Sequence, residues 1–182
     1  MEKPLIFNME DPSSVVAFDN FVRQHKTARQ KNERLLLLSE LAEIRNPTLK
    51  GDKTKMAAAV ENFLLQGGTA IKGNWVYLPW KDLLLWYLPE KLHNELRTAR
   101  NKNCITNIEQ EYFYNFPIAI AGLSVGSHGA LTTALMGGSK FMSLADPDII
   151  SGSNLNRIRY GFDDVGEKKV SSVSRRIYEM NP

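Results

Sequence analysis

The stretch FPIAIAGLSVGSHGALTTALMGGSKFMSLADPDIISGSNLNRIRYG, from Phe116 to Gly161, decides the fold. PIAIAG is a short apolar strand that ends at Gly122. LSVGSHGALTTALMGG reads as a turn and a helix closed by Gly137-Gly138, and KFMSLAD is a second apolar strand ending in Asp146. Strand, helix and strand within about 30 residues make a βαβ unit with a parallel sheet. Its right-handed crossover sets the helix N-terminus beside the carboxyl end of the first strand, where free backbone N–H groups can bind phosphate. An acid at the end of the second strand sits where a ribose hydroxyl would lie. Asp146 follows Gly122 by about 24 residues, close to the usual spacing of about 20.

The glycine pattern departs from G-x-G-x-x-G. That fingerprint needs glycine at 122, 124 and 127, whereas the chain has Gly122, Ser124 and Ser127, with further glycines at 126 and 129. The turn reads as one residue shorter, with Gly126 in the third glycine's place and the phosphate approaching the backbone of Ser124. Taken alone, this pattern also suits a βαβ unit whose small residues serve helix–strand packing and hold no ligand.

The residues after Asp146 favour a ligand. Asp146 and Asp148 form a D-x-D at a strand end, where carboxylates can reach a ribose or, less directly, Mg²⁺. SGSNLNRIRY supplies Asn154 and Arg157, on one side of any helical turn. A helix opening near Gly166 puts Lys168 and Lys169 in its first turn, where cations oppose the helix dipole and need an anion or an acid to offset them. An arginine, a lysine and a helix N-terminus aimed at one spot make a polyphosphate site, able to neutralise charge on phosphorus and on a leaving pyrophosphate. Hydride transfer makes no such demand, so an NAD- or FAD-binding module is the weaker reading.

Composition sets the bounds. The 182 residues carry a formal charge of +3 with both signs interspersed, which does not argue for a nucleic-acid binder. With one cysteine, Cys104, neither an intrachain disulfide nor a cysteine-cluster zinc site can form, and no metal-ligating residues are assigned. The N-terminus lacks the pattern of a signal peptide, and no apolar run approaches the roughly 18 residues that span a bilayer. A cytoplasmic protein without membrane contact is the expectation.

Before the βαβ unit the chain reads as mostly helical. Ser13 can cap a helix to about Gln24. A second helix is expected over Arg29–Ile44, its Leu35–Leu38 run well buried, and a third runs to about Gln66, where Gly67-Gly68 stops it. TAIKGNWVYLPW reads as a short hairpin turning at Gly73-Asn74, which suggests a winged-helix-like unit. Pro89 can open a further helix to about Ala99, and Thr106 with Glu109 forms a capping box for another. Cys104 is expected to be buried or half-buried, His25 and His93 at the surface, and Trp75, Trp80 and Trp86 in packing. His128 reads as a half-exposed helix residue near the turn.

GLSVGS, ADPD, SNLNR, VGEKK and the closing EMNP together resemble the ThiF superfamily, the ATP-dependent adenylating enzymes of the ubiquitin-activating and bacterial ThiF/MoeB type. The likeness covers about Arg100 to Pro182. It implies an α/β fold: the N-terminal part of a Rossmann-like ThiF nucleotide-binding domain, preceded by a mostly helical region with a short β-hairpin. The divisions are residues 1–88, a helical lead-in over 89–115, and 116–182 as the first half of that domain, continuing beyond 182. The resemblance implies that ATP lies with its phosphates at the turn Gly122–Gly126, Ser124 included, and its ribose on Asp146, with Asp148 also counted among the cofactor-binding residues. Asn154, Arg157 and Lys169 would hold the phosphates, with Lys168 as the substitute one place early. The C-terminal glycine carboxylate of a ubiquitin-like or sulfur-carrier protein would attack the α-phosphate, forming an acyl adenylate. Arg100, or Arg97, would reach across a homodimer to the partner's ATP. Catalytic roles thus fall to Arg157, Lys169 and Arg100. The family's main Mg²⁺ ligand would lie beyond residue 182. Nucleic acid enters only as a modified tRNA base with a carboxylate, and a non-catalytic binding relative is the other alternative.

Overall fold

The structure, a computed structural model, describes residues 2–65 and 70–182. It is a mixed α/β protein with two compact units, Pro4–Ala99 and Arg100–Pro182. The helix stop expected at Gln66 to Gly68 lies outside the described residues.

In the first unit the order is β1 (Leu5–Asn8), α1 (Pro12–Gln24), β2 (Arg29–Lys31), α2 (Arg34–Arg45), α3 (Lys53–Leu65), β3 (Asn74–Leu78), β4 (Leu83–Tyr87) and α4 (Glu90–Arg97). The strands form one sheet in the order β1-β3-β4-β2, so the region holds a four-stranded sheet where the sequence suggested a hairpin among helices. β1 and β4 run antiparallel to β3, while β2 lies parallel to β4. Directly paired residues share a face. The pairs Phe7–Trp75, Trp75–Trp86 and Tyr77–Leu84 therefore form one aromatic-rich surface. Phe18, Phe21 and Val22 of α1 pack on it at Phe7, Tyr77 and Leu84. Leu38, Leu41 and Val60 of α2 and α3 pack around Trp86.

Several local expectations give way to tertiary contacts. The helix expected from Arg29 begins at Arg34, because Arg29, Gln30 and Lys31 pair with Leu83, Leu84 and Leu85 as a strand. Leu38 is fully buried, but Leu35 and Leu36 are 62% and 54% exposed, since only one side of α2 meets the core. The cap of α1 is Asp11, whose carboxylate accepts the N–H of Ser13 at 3.0 Å. The β3–β4 connection turns through Pro79 to Asp82, not at Gly73-Asn74. His25 is half-buried and stacks on Phe21 with ring centres 3.9 Å apart.

The second unit runs α5 (Asn107–Asn115), β5 (Ile118–Ala121), α6 (Gly126–Leu135), β6 (Met142–Ala145) and α7 (Lys169–Met180). β5 and β6 are parallel, with Ile120 opposite Leu144. Thr106 and Glu109 form the capping box of α5, the Thr106 N–H donating to Glu109 Oε2 at 2.7 Å. Buried Gln110 donates its amide to the Gly137 carbonyl at 3.0 Å and accepts from Asn101 at 2.7 Å. It thereby satisfies a carbonyl just past the C-terminal end of α6. The core gathers Leu123, Ala130, Ile150, Ile158, Tyr160 and Val173, with Ile120 and Leu144 of the strands packed on it. On the other face of the two strands Ala119, Ala121, Ser143 and Ala145 are exposed. Cys104 is exposed, contrary to expectation, because it lies in the turn before α5, whose backbone is fixed by Cys104 N–H to Asn101 O at 2.8 Å.

Gly73 has φ of +73°, and a Cβ there would lie 2.2 Å from Cζ2 of Trp86. Gly73→Ala is expected to destabilise the chain by about 1–3 kcal/mol, through both the strained backbone and the displaced indole. Denaturant unfolding followed by tryptophan fluorescence checks it; a midpoint equal to wild type is the contrary result.

Candidate functional site

The site is built where β5 meets α6. Gly122 leaves β5 with φ of +86°, a conformation that side chains rarely adopt. Leu123 then points into the core with none of its surface exposed. Gly126 opens α6 close against β5: a Cβ there would sit 3.0 Å from Ile120 Cγ2. Ser127, Ala130, Leu131 and Ala134 form the buried stripe of α6. The helix thus starts beside the strand end, and its first N–H groups have no partner within the helix.

Asp146, at the end of β6, reaches back to this turn. Its Oδ2 accepts the Leu123 N–H at 2.5 Å and its Oδ1 accepts the Asp148 N–H at 2.8 Å. Burial pushes the Asp146 carboxyl up, but these two N–H groups and the Lys169 ammonium outweigh it and hold the group below its ordinary value. A carboxylate offers about four acceptor positions, so two backbone bonds leave room for a hydroxyl ligand.

Lys169 completes the arrangement. Residues 148–150 pair with 166–169: Ile149 bridges Lys168 in antiparallel fashion, and Lys169 N–H donates to Asp148 O at 3.1 Å. This fixes Lys169 as the first residue of α7, with Lys168 just before it as the exposed N-cap. The Lys169 Nζ lies 2.7 Å from Asp148 Oδ2, 3.4 Å from Ser124 Oγ and 3.7 Å from Asp146 Oδ1. Only 4% of its side chain is exposed. The acids that a cation needs at a helix N-terminus are therefore the D-x-D itself.

The loop between β6 and α7 is fastened at several points. His128 Nε2 on α6 meets the Arg157 carbonyl at 2.8 Å. The Tyr160 hydroxyl donates to the Leu123 carbonyl at 3.2 Å, and burial pushes it up to about 12. Asp164 accepts the Gly161 N–H at 2.7 Å, the Ser172 hydroxyl and the Arg176 guanidinium. Burial would raise the Asp164 carboxyl, but Ser172, Gly161 and Arg176 together hold it below the usual carboxylate range.

The structure thus brings Gly122, Ser124, Gly126, Asp146, Asp148 and Lys169 to one place. It does not bring the side chains of Asn154, Arg157 and Arg100 into contact with them. Asn154 is buried, and its Oδ1 accepts the Ser151 N–H at 3.1 Å, shaping the short helical turn Gly152–Asn154. The Arg157 guanidinium folds onto its own loop, donating to Ser153 O at 2.9 Å and to Asn156 Oδ1 at 3.0 Å. Arg100 is exposed in the helical turn Ala99–Asn101, and Arg97 lies on α4 of the other unit. Sequence reasoning passed over Tyr160 and Asp164. The spacing of Ser172 and Arg176, on one face of α7 and facing back to an acid, was the available signal for Asp164. Among the described residues no group of three or more His, Cys, Asp or Glu side chains could hold a metal ion, and no helix is long and apolar enough to cross a membrane.

A glycine turn entering a helix, a parallel pair of strands and an acid at the second strand's end define a Rossmann-like unit of the nucleotide-binding kind. Residues 98–182 match the model of the ThiF family, and this part of the chain is similar to that family. Over 108 residues the chain is 36% identical to a protein described as Uncharacterized protein MT1398 of Mycobacterium tuberculosis (strain CDC 1551 / Oshkosh). The matched part is 59% of this chain and 15% of that protein, so the chain spans a small share of the curated relative's length. No solved structure matches the chain.

The Asp164 clasp makes a stability prediction. Because the folded state lowers the Asp164 carboxyl, its contribution is present above the ordinary carboxylate range and fades as pH falls below about 4. Asp164→Asn should lower unfolding stability by roughly 1–3 kcal/mol at neutral pH. The gap to wild type should narrow in melts at pH 3; a gap that is the same at pH 7 and pH 3 contradicts the assignment.

Proposed function

We propose that the protein serves ATP-dependent adenylation of a carboxylate, foremost the C-terminal glycine of a ubiquitin-like or sulfur-carrier protein, giving an acyl adenylate and pyrophosphate. The observation that carries this reading is the convergence of Lys169 Nζ, Ser124 Oγ and Asp146 at the mouth of the Gly122–Gly126 turn. The ThiF match over 98–182 supports it, since that family's chemistry is adenylation.

In this reading the backbone N–H groups from Ser124 to Gly126 and the start of α6 receive the phosphates, and no side chain at Gly122 or Gly126 stands in the way. Asp146, held by two N–H groups, keeps acceptor capacity for the ribose, with Asp148 beside it. Lys169 reaches the turn at Ser124 and offsets charge on the phosphates as pyrophosphate leaves. Arg157 adds a second cation by turning its exposed guanidinium from Ser153, and Asn154 shapes the loop that carries it. Mg²⁺ would supply further charge neutralisation when bound. Arg100 acting across a homodimer and a cytoplasmic setting belong to the same proposal.

The test is exchange of labelled pyrophosphate into ATP in the presence of a ubiquitin-like protein ending in glycine. Arg157→Ala is expected to slow exchange by roughly 10²-fold or more, the scale of losing one transition-state donor. Normal exchange in that variant removes the role given to Arg157. Asp146→Ala is expected mainly to raise the ATP concentration required, read by titration; an unchanged ATP affinity removes the ribose assignment. Hydride transfer to a nicotinamide without pyrophosphate release would overturn the function as a whole.

A further inference from the structure

The side chains at the mouth of the turn carry more negative than positive charge. Asp146 and Asp148 bring two negative charges and Lys169 one positive charge within a few ångströms. The two acids are not equivalent. Asp146 has a 5% exposed side chain and is committed to the Leu123 and Asp148 N–H groups. The Asp148 side chain is 64% exposed, and among the described residues its carboxylate has one partner, Lys169 Nζ at 2.7 Å. The same ammonium lies 3.4 Å from Ser124 Oγ on the turn.

We infer that Asp148 is an internal competitor for Lys169: its carboxylate holds the ammonium, and an incoming polyphosphate binds by taking Lys169 from it. The inference rests on the reading of the turn as a phosphate site, and it reverses the effect expected of Asp148. A carboxylate that held the ligand would strengthen binding; this one weakens it. Of the two partners, the acid is the one that yields. Lys169 is buried, and its own N–H is fixed to the Asp148 carbonyl at 3.1 Å. The Asp148 side chain is short and exposed, and rotation about its Cα–Cβ bond carries the carboxylate into water while its backbone stays in place. Asp146, with both oxygens on backbone N–H groups, keeps the turn in shape during the exchange.

Isothermal titration of the 182-residue chain with tripolyphosphate, without divalent cations, tests this on wild type, Asp148→Asn, Asp148→Glu and Lys169→Met. Asp148→Asn is expected to bind at least roughly tenfold more tightly than wild type, because a competing and repelling charge is gone. Asp148→Glu, which keeps the charge, should stay near wild type. Lys169→Met should lose binding. A gain of affinity cannot arise from misfolding, so the central outcome is protected from that artefact. Equal or weaker binding by Asp148→Asn, with binding still lost in Lys169→Met, overturns the inference and leaves the phosphate site standing. Wild-type affinity in Lys169→Met, or no binding by wild type and Asp148→Asn alike, overturns the phosphate reading and the inference with it.

Discussion

A primary ammonium with almost no solvent contact must have carboxylates beside it, and Lys169 depends on that constraint. Stripping the partners from a buried charge costs several kcal/mol. The position is harder still because Lys169 begins α7, where the helix dipole adds positive potential. The end of β6 and the start of α7 must therefore meet, and the pairing of residues 148–150 with 166–169 brings them together. This pairing places Asp148 and the cation beside the turn that follows β5.

Leu123 shows how the turn is kept in shape from both directions. Its side chain is in the core, its N–H goes to the strand-end acid and its carbonyl takes the hydroxyl of Tyr160 from the following loop. A backbone unit held at both polar groups has little freedom. The loop that supplies Tyr160 also touches α6 through His128 and is closed by Asp164 against α7. The site thus draws on each element of the βαβα path, in keeping with the ThiF match over this half of the chain.

The βαβ unit was legible because its signals are local: two apolar runs, a glycine at each break and an acid after the second run. The capping box at Thr106 was legible for the same reason. β2 was not, since Arg29, Gln30 and Lys31 have no strand pattern and become a strand by pairing with residues far along the chain. Leu35 and Leu36 misled because an unbroken apolar run does not reveal which side of a helix meets the core. Within the site, residue types at motif spacing placed Asp146 and Lys169 together. They did not reveal that the Arg157 tip rests on its own loop, nor that Tyr160 reaches a residue 37 positions earlier. Such contacts are set by how the loop closes, and closure leaves no periodic trace in sequence.

The uncovered face of β5 and β6 carries only Ala119, Ala121, Ser143 and Ala145. Side chains so small screen the inter-strand N–H···O bonds poorly, leaving water within reach along one whole surface of this two-strand ribbon. Deuterium should therefore enter these amides sooner than those of β3, which has a neighbour on each edge and aromatic rings above it.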